Sequence, residues 1–231
     1  MCRFLCAVLL AVSIPGLSPQ AVAANTPVAA ELHGKVSFVR PNDSFSTPDY
    51  KDTVIFFKPD AATMVKPLSG DITLTTKNYA FVPHVLTVTV GTKVQFPNQD
   101  SIFHNVFSPS VPNNFDLGLY GAGPGKTIVF AHSGLVHVYC NVHHYMFAYI
   151  LVLDTPYFTN TQADGTFSLS GLPPGPGVIT IWNPRTRIFR EHVNPIPEDS
   201  VSASLTVMES GIPKHLNKLG KPYFQFHGPG M

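Results

Sequence analysis

The apolar positions along this chain fall in short runs that stop at Gly, Pro, Asn or Asp, a rhythm of strands and turns. Gly34 to Val39 (GKVSFV) and Asp52 to Phe57 (DTVIFF) open the pattern, joined by a Pro-, Asp- and Ser-rich loop from Pro41 to Lys51. A connector with two prolines, KPDAATMVKPLSG, precedes a longer series: ITLTT from Ile72, the run around Val85 to Val90, KVQF ending at Phe96, TIVFA from Thr127, LVHVYC ending at Cys140, and AYILVL ending at Leu153. After Asp154 the character changes. A turn at Asp164-Gly165 leads into alternating Phe167 and Leu169, a Pro-Pro-Gly turn leads into Val178 to Trp182, and VSASLTV from Val201 supplies a closing strand. No helix-period stretch of useful length follows the N-terminal apolar run, so the predicted class is all-β, built as sandwiches. Ser108 to Lys126 (SPSVPNNFDLGLYGAGPGK) reads as a long loop that shields a site, presents Phe115, Leu117, Leu119 and Tyr120 to a partner, or simply packs on the end of the sandwich.

Composition narrows the compartment. Arg3, an apolar run from Phe4 to Val12 and the triplet Ala21-Val22-Ala23 predict a secretory signal peptide over residues 1–23. The protein is therefore expected in the periplasm or otherwise secreted, with no membrane span after cleavage. Cys2 and Cys6 leave with the leader, so Cys140 is the sole mature thiol and no disulfide can form within the mature chain. The chain carries 15 Lys+Arg against 14 Asp+Glu; loss of Arg3 balances the charge, and no nucleic-acid footprint remains.

Against this background Val136 to Leu153 (VHVYCNVHHYMFAYILVL) stands out, because it places Cys140, His143 and Met146 on a tight connection between two strands. A thiolate, an imidazole and a thioether form a soft set that selects copper over magnesium, calcium or manganese. Zinc could take the Cys and a His, but it favours four strong ligands and gains little from Met. A trigonal His2Cys site with a long axial Met requires one more His. The best candidate is His104, in FPNQDSIFHNVFS, where an apolar run ends in Pro97, Asn98 and Asp100. An exported thiol is a liability unless a metal occupies it, which favours the same reading. His137 has strand parity opposite to Cys140 and is expected to face away from it.

From about Ile72 to Leu153 the chain resembles a cupredoxin, or blue copper protein. Its Cys-x2-His-x2-Met loop is similar to the short ligand loop of amicyanin, and NYAFVPHVLTVTVGTKVQFPNQDSIFHNVFS is similar to the family's upstream half. The resemblance implies a Greek-key β-sandwich with one type 1 copper held by His104, Cys140, His143 and Met146, and Asn105 tying the two ligand loops together. Family spacing makes His143 the ligand and turns the adjacent His144 outward. It implies electron transport between redox partner proteins, a dehydrogenase or a cytochrome, and no enzymatic activity. The alternative is a periplasmic protein that binds or delivers copper without redox turnover.

The segment Ala163 to Pro184, through its D-G-x-F-x-L, L-P-P-G and V-x-x-x-W pattern, resembles the carboxypeptidase regulatory-like module, a small prealbumin-like β-sandwich that implies a scaffold and no catalysis. Its opening strands are expected from the N-terminus: residues 31–66 and 155–208 would form this module, interrupted by the cupredoxin copper domain over 71–154. Residues 209–231, with scattered bases and many Gly and Pro, are expected to form a loose or draped tail.

Overall fold

Phe147–Leu153 is a strand covered on both faces, which is why its sequence is a solid apolar run and not an alternation. Ala148, Ile150 and Val152 enter one core, and Tyr149, Leu151 and Leu153 enter another. The computed structural model describes residues 30–195, 199–208 and 215–223; the leader expected over 1–23 lies outside the described residues. In chain order the strands are β1 (Ala30–Val39), β2 (Val54–Pro59), β3 (Thr75–Lys77), β4 (Ala80–Val82), β5 (Val85–Thr89), β6 (Lys93–Asn98), β7 (His104–Ser108), β8 (Phe115–Tyr120), β9 (Gly123–Val129), β10 (Gly134–Tyr139), β11 (Phe147–Leu153), β12 (Tyr157–Asn160), β13 (Thr166–Leu172), β14 (Gly177–Trp182), β15 (Phe189–Val193) and β16 (Asp199–Thr206). The class is all-β. Among the described residues no helix is long and apolar enough to cross a membrane.

Among the described residues the strands form four sheets. The sheet β5-β11-β10-β7-β8 faces β4-β3-β6-β9 across a core that includes Leu74, Val94, Phe96, Phe130, Val136 and Ile150. The sheet β12-β2-β14-β15 faces β13-β1-β16 across Val36, Ile55, Phe57, Phe167, Ile179 and Leu205. β1 runs parallel to β16, from Leu32 beside Asp199 to Val39 beside Thr206, and antiparallel to β13. β2 lies between β12 and β14, with Val54 beside Asn160 on one side and Trp182 on the other. The strands before residue 60 thus pair with strands after residue 156, while residues 75–153 supply the other sandwich. Gly34 sits where Phe167 crosses β1, and a Cβ there would lie 2.2 Å from the Val201 carbonyl and 2.4 Å from the Phe167 ring. Only glycine fits that approach.

A third apolar cluster joins the sandwiches. Alternation along β2 sends Ile55 and Phe57 into their own sandwich and Val54 and Phe56 outward, against Val85, Tyr149, Leu151 and Leu153. Trp182 and Phe158 complete the patch, and Lys58 Nζ reaches Asp154 Oδ2 at 2.5 Å at its edge.

The segment Ser108 to Lys126, expected as a long loop, contains β8 and most of β9. Both are edge strands, and Leu117 alone of β8 is fully buried, so no period-2 signal marks them. Gly125 has φ +69 at an irregularity in the β6–β9 ladder, and a Cβ there would fall 1.7 Å from the Phe96 carbonyl oxygen. The glycines that read as loop signals are what lets the chain pair closely at these edges.

Candidate metal centre

His104 opens β7, a strand whose five residues are all buried, and Cys140 follows β10. The two meet because β7 and β10 are neighbours, with Phe107 paired to Tyr139. The connection from β10 to β11 closes on itself: Cys140 N–H donates to the Met146 carbonyl at 3.1 Å, and Met146 N–H donates to the His143 carbonyl at 2.9 Å. This tight turn brings His143 back over Cys140, and His143 N–H donates to Cys140 Sγ at 3.5 Å.

The donors converge. His104 Nδ1 and His143 Nδ1 are 3.1 Å apart, and they lie 3.9 Å and 3.8 Å from Cys140 Sγ. A point equidistant from all three lies about 2.1 Å from each, which matches the roughly 2.0–2.3 Å bonds that imidazole and thiolate make to a first-row divalent ion. Among the described residues this is the one group of three His, Cys, Asp or Glu side chains so placed. Met146 belongs to the same buried cluster as Cys140. Three strong soft donors with a thioether neighbour suit copper better than zinc.

Asp100 organises this end of the sandwich. Its carboxylate accepts the amides of Asn78 at 2.6 Å and Tyr79 at 3.0 Å, which hold the β3–β4 turn with both residues at positive φ, an uncommon state for a tyrosine. The same carboxylate lies 3.0 Å from His104 Nε2. Burial alone would raise the Asp100 pKa, but the Tyr79 and Asn78 amides and the His104 charge pull it below the usual carboxylate value. An ionised carboxylate only accepts, so His104 carries its proton on Nε2 and turns the Nδ1 lone pair to the donor triangle. The turn held in this way also places the Tyr79 ring edge-on to His104 and His143, with centroids 6.0 and 5.4 Å away.

Burial, and then the neighbouring His143, hold His104 below the ordinary imidazole pKa, against the opposite pull of Asp100. Burial lowers His137 in the same direction. Both folded values lie below the unfolded value of about 6.5, so the unfolded chain binds more protons as the pH falls through that point. The metal-free protein is therefore expected to lose thermal stability progressively below about pH 6.5. A melting temperature that is flat or rising from pH 7 to 5 would contradict this account of the two rings.

The structure brings together three of the four residues expected from the sequence as donors and sets the fourth, Met146, in their buried surroundings. His144 is exposed and packs on Tyr145 and Tyr223. His137 faces the other side of the sheet, stacked with Tyr139 at an interplanar angle of 7°. Asn105 Oδ1 accepts the Asn141 amide at 3.3 Å, joining the residues that follow His104 and Cys140. In the sequence Asp100 is marked as a turn residue with no role at the site, and Tyr79 stands only within the upstream resemblance, since Asp100 approaches Asn78 only through folding.

The chain is similar to several solved copper proteins. A purple cupredoxin from Nitrosopumilus maritimus shares 26% identity over 37% of this chain and 100% of its own, with a TM-score of 0.32. A point variant of amicyanin in its reduced Cu(I) form shares 20% over 43% of this chain and 98% of its own, with a TM-score of 0.35. A copper-containing nitrite reductase from Thermus scotoductus shares 26% over 51% of this chain, which spans 28% of the length of that protein, with a TM-score of 0.36. No protein-family model and no curated protein matches.

Proposed function

We propose that residues 71–154 form a copper-binding domain of the cupredoxin class, in which His104, Cys140 and His143 would hold the ion and the Met146 thioether would be a weaker fourth donor. In that reading the protein is an exported blue copper carrier that passes single electrons between partner proteins, such as a dehydrogenase and a cytochrome, and is not an enzyme. The observation that carries it is the triangle of two Nδ1 atoms and one Sγ, with sides of 3.1 to 3.9 Å, held at one end of a sandwich. Bound there, copper would supply a one-electron Cu(II)/Cu(I) exchange. The chain's own contribution is to keep the donors fixed. Asp100 orients His104, the His143 amide donates to the sulfur, and the tight turn from Cys140 to Met146 limits movement between charge states. Phe103, Val142, Tyr145 and Tyr79 are exposed around the ligand loops and form an apolar rim suited to brief partner contact. The second sandwich, assembled from residues 31–66 and 155–208 and similar in sequence to the carboxypeptidase regulatory-like module, is read as the scaffold into which the copper domain is inserted.

Metal analysis of protein purified from its native compartment, together with its visible spectrum and voltammetry, tests the reading. One copper per chain, an intense thiolate band and a reversible couple are expected; copper without a reversible couple would favour storage or delivery. His143→Ala should lose the band and His144→Ala should keep it. The reverse pattern would overturn the ligand assignment.

A further inference from the structure

The chain returns to the metal centre after completing the second sandwich. Residues 215–223 lie against the β7, β8 and β10 side of the copper half, where His215 stacks on Tyr139 with centroids 3.8 Å and planes 11° apart. Beneath this strap is a cavity of about 850 Å³ lined by Phe107, Phe115, His137, Tyr139 and Leu216, so apolar packing does not seal it down. Besides the His215–Tyr139 stack, two polar contacts hold it. Lys218 N–H donates to Asn141 Oδ1 at 3.0 Å, and Lys218 Nζ donates to Asp116 Oδ2 at 2.8 Å.

Those two bonds close a ring. Asp116 Oδ1 accepts Asn105 Nδ2 at 2.7 Å, and Asn105 Oδ1 accepts the Asn141 amide at 3.3 Å. Asn105 follows His104 and Asn141 follows Cys140, so the ring Lys218–Asp116–Asn105–Asn141 spans the backbones of two donors that come from different strands. Beyond the β7–β10 ladder, which pairs Tyr139 with Phe107, the side-chain link between the two loops without Lys218 is the single 3.3 Å bond, which is long for an N–H···O contact. Asp116 receives Lys218, the Gly118 amide and Asn105, which together hold its carboxyl below the usual range although burial acts the other way. It is therefore charged when Lys218 meets it.

We propose that Lys218 is a positioning residue of the metal centre, clamping the Cys140 loop to the His104 strand through Asp116 and Asn141. The clamp itself stands on the geometry; its effect on copper rests on the function proposed above. One lysine makes both contacts, with its ammonium on one side of the ring and its amide on the other.

Two readouts test it, one of them independent of metal. In the metal-free protein Cys140 is buried, so its thiol reacts with an aromatic disulfide reagent only when the loops part. The Lys218 and Asp116 side chains are 32% and 40% exposed, which keeps the contact modest. Lys218→Ala is expected to raise the thiol reaction rate roughly two- to fivefold, and Lys218→Arg, which keeps the charge, to return it toward the wild-type rate. With Cu(II) added, the thiolate band and the reduction potential of Lys218→Ala should shift, while Lys221→Ala on the same strap should match wild type. An unchanged thiol rate in Lys218→Ala overturns the clamp. A raised rate with unchanged band and potential reduces Lys218 to a structural contact and overturns the positioning role. If the wild-type protein gains no thiolate band with Cu(II), the copper reading fails, and the thiol rate still decides whether Lys218 holds the loops.

Discussion

Cys140→Ser is expected to abolish the intense visible band of the copper-loaded protein and to leave its fold in place. The colour of such a site requires a thiolate, and Cys140 is the one cysteine among the described residues. Serine is nearly isosteric, but its hydroxyl does not ionise at neutral pH, so the triangle would keep two imidazoles and lose its anion. Copper affinity should fall by more than the roughly 10–100-fold that loss of an outer hydrogen-bond partner costs. The burial cost of the new hydroxyl, about 1–3 kcal/mol if it finds no acceptor, is small enough for a native circular dichroism spectrum to persist. The pair His104 and His143, within 4 Å of Sγ, offers it one. A Cys140→Ser protein that stays coloured with stoichiometric copper would refute the copper–thiolate assignment. Met146→Leu, by contrast, should keep the colour and raise the potential if Met146 is the weak thioether donor proposed above.

The second large effect is expected at the apolar seam between the sandwiches. Tyr149 and Leu151 are 6% and 8% exposed there, and both point away from the copper-side core. Leu151→Ala should cost roughly 2–5 kcal/mol, the range for truncating a buried leucine. Tyr149→Ala removes the edge contact with Trp182, whose ring centroid is 5.7 Å away, and the contacts with His84 and Phe147. In the intact protein the two halves should unfold in one calorimetric transition, since the seam and both chain crossings tie them. The double variant should show two. A single transition with an unchanged midpoint in the double variant would mean that the seam contributes little coupling.

Much of this site was legible in the sequence because its chemistry is local. Cys140, His143 and Met146 lie in one turn, and His104 stands at the head of an apolar strand after a recognisable turn cluster. The all-β class was legible for the same reason: period-2 runs between Gly and Pro need no tertiary information. What escaped was whatever depends on distant pairing. Asp100 reads only as a turn residue until folding brings Asn78 and Tyr79 to it. Lys218 sits 77 residues beyond Asn141 among scattered bases, with nothing local to distinguish it from a solvated charge. Strand β8 and the start of β9, before the expected run from Thr127, were hidden by their own glycines, because an edge strand that buries one side chain in six, as β8 does, carries no alternation. In each case the missing information was the identity of the neighbour.

The pairing of β1 with β16 also dictates what happens while the chain is being made. The hydroxyls of Ser37 and Ser204 end 3.2 Å apart, yet 167 residues separate them. At ribosomal speeds of about 5–20 residues per second, β1 and β2 wait on the order of ten seconds or more for their partners. The intervening half, residues 75–153, can complete its sheets meanwhile, since its strands pair among themselves. β1 bears the delay well, because Glu31, His33 and Lys35 alternate with its apolar positions. β2 does not, since Val54 to Phe57 carries no charge until Lys58. The nascent chain's aggregation hazard is therefore concentrated in VIFF, of which Val54, Ile55 and Phe57 are buried and Phe56 half-buried in the finished protein, and it arises from the order of synthesis.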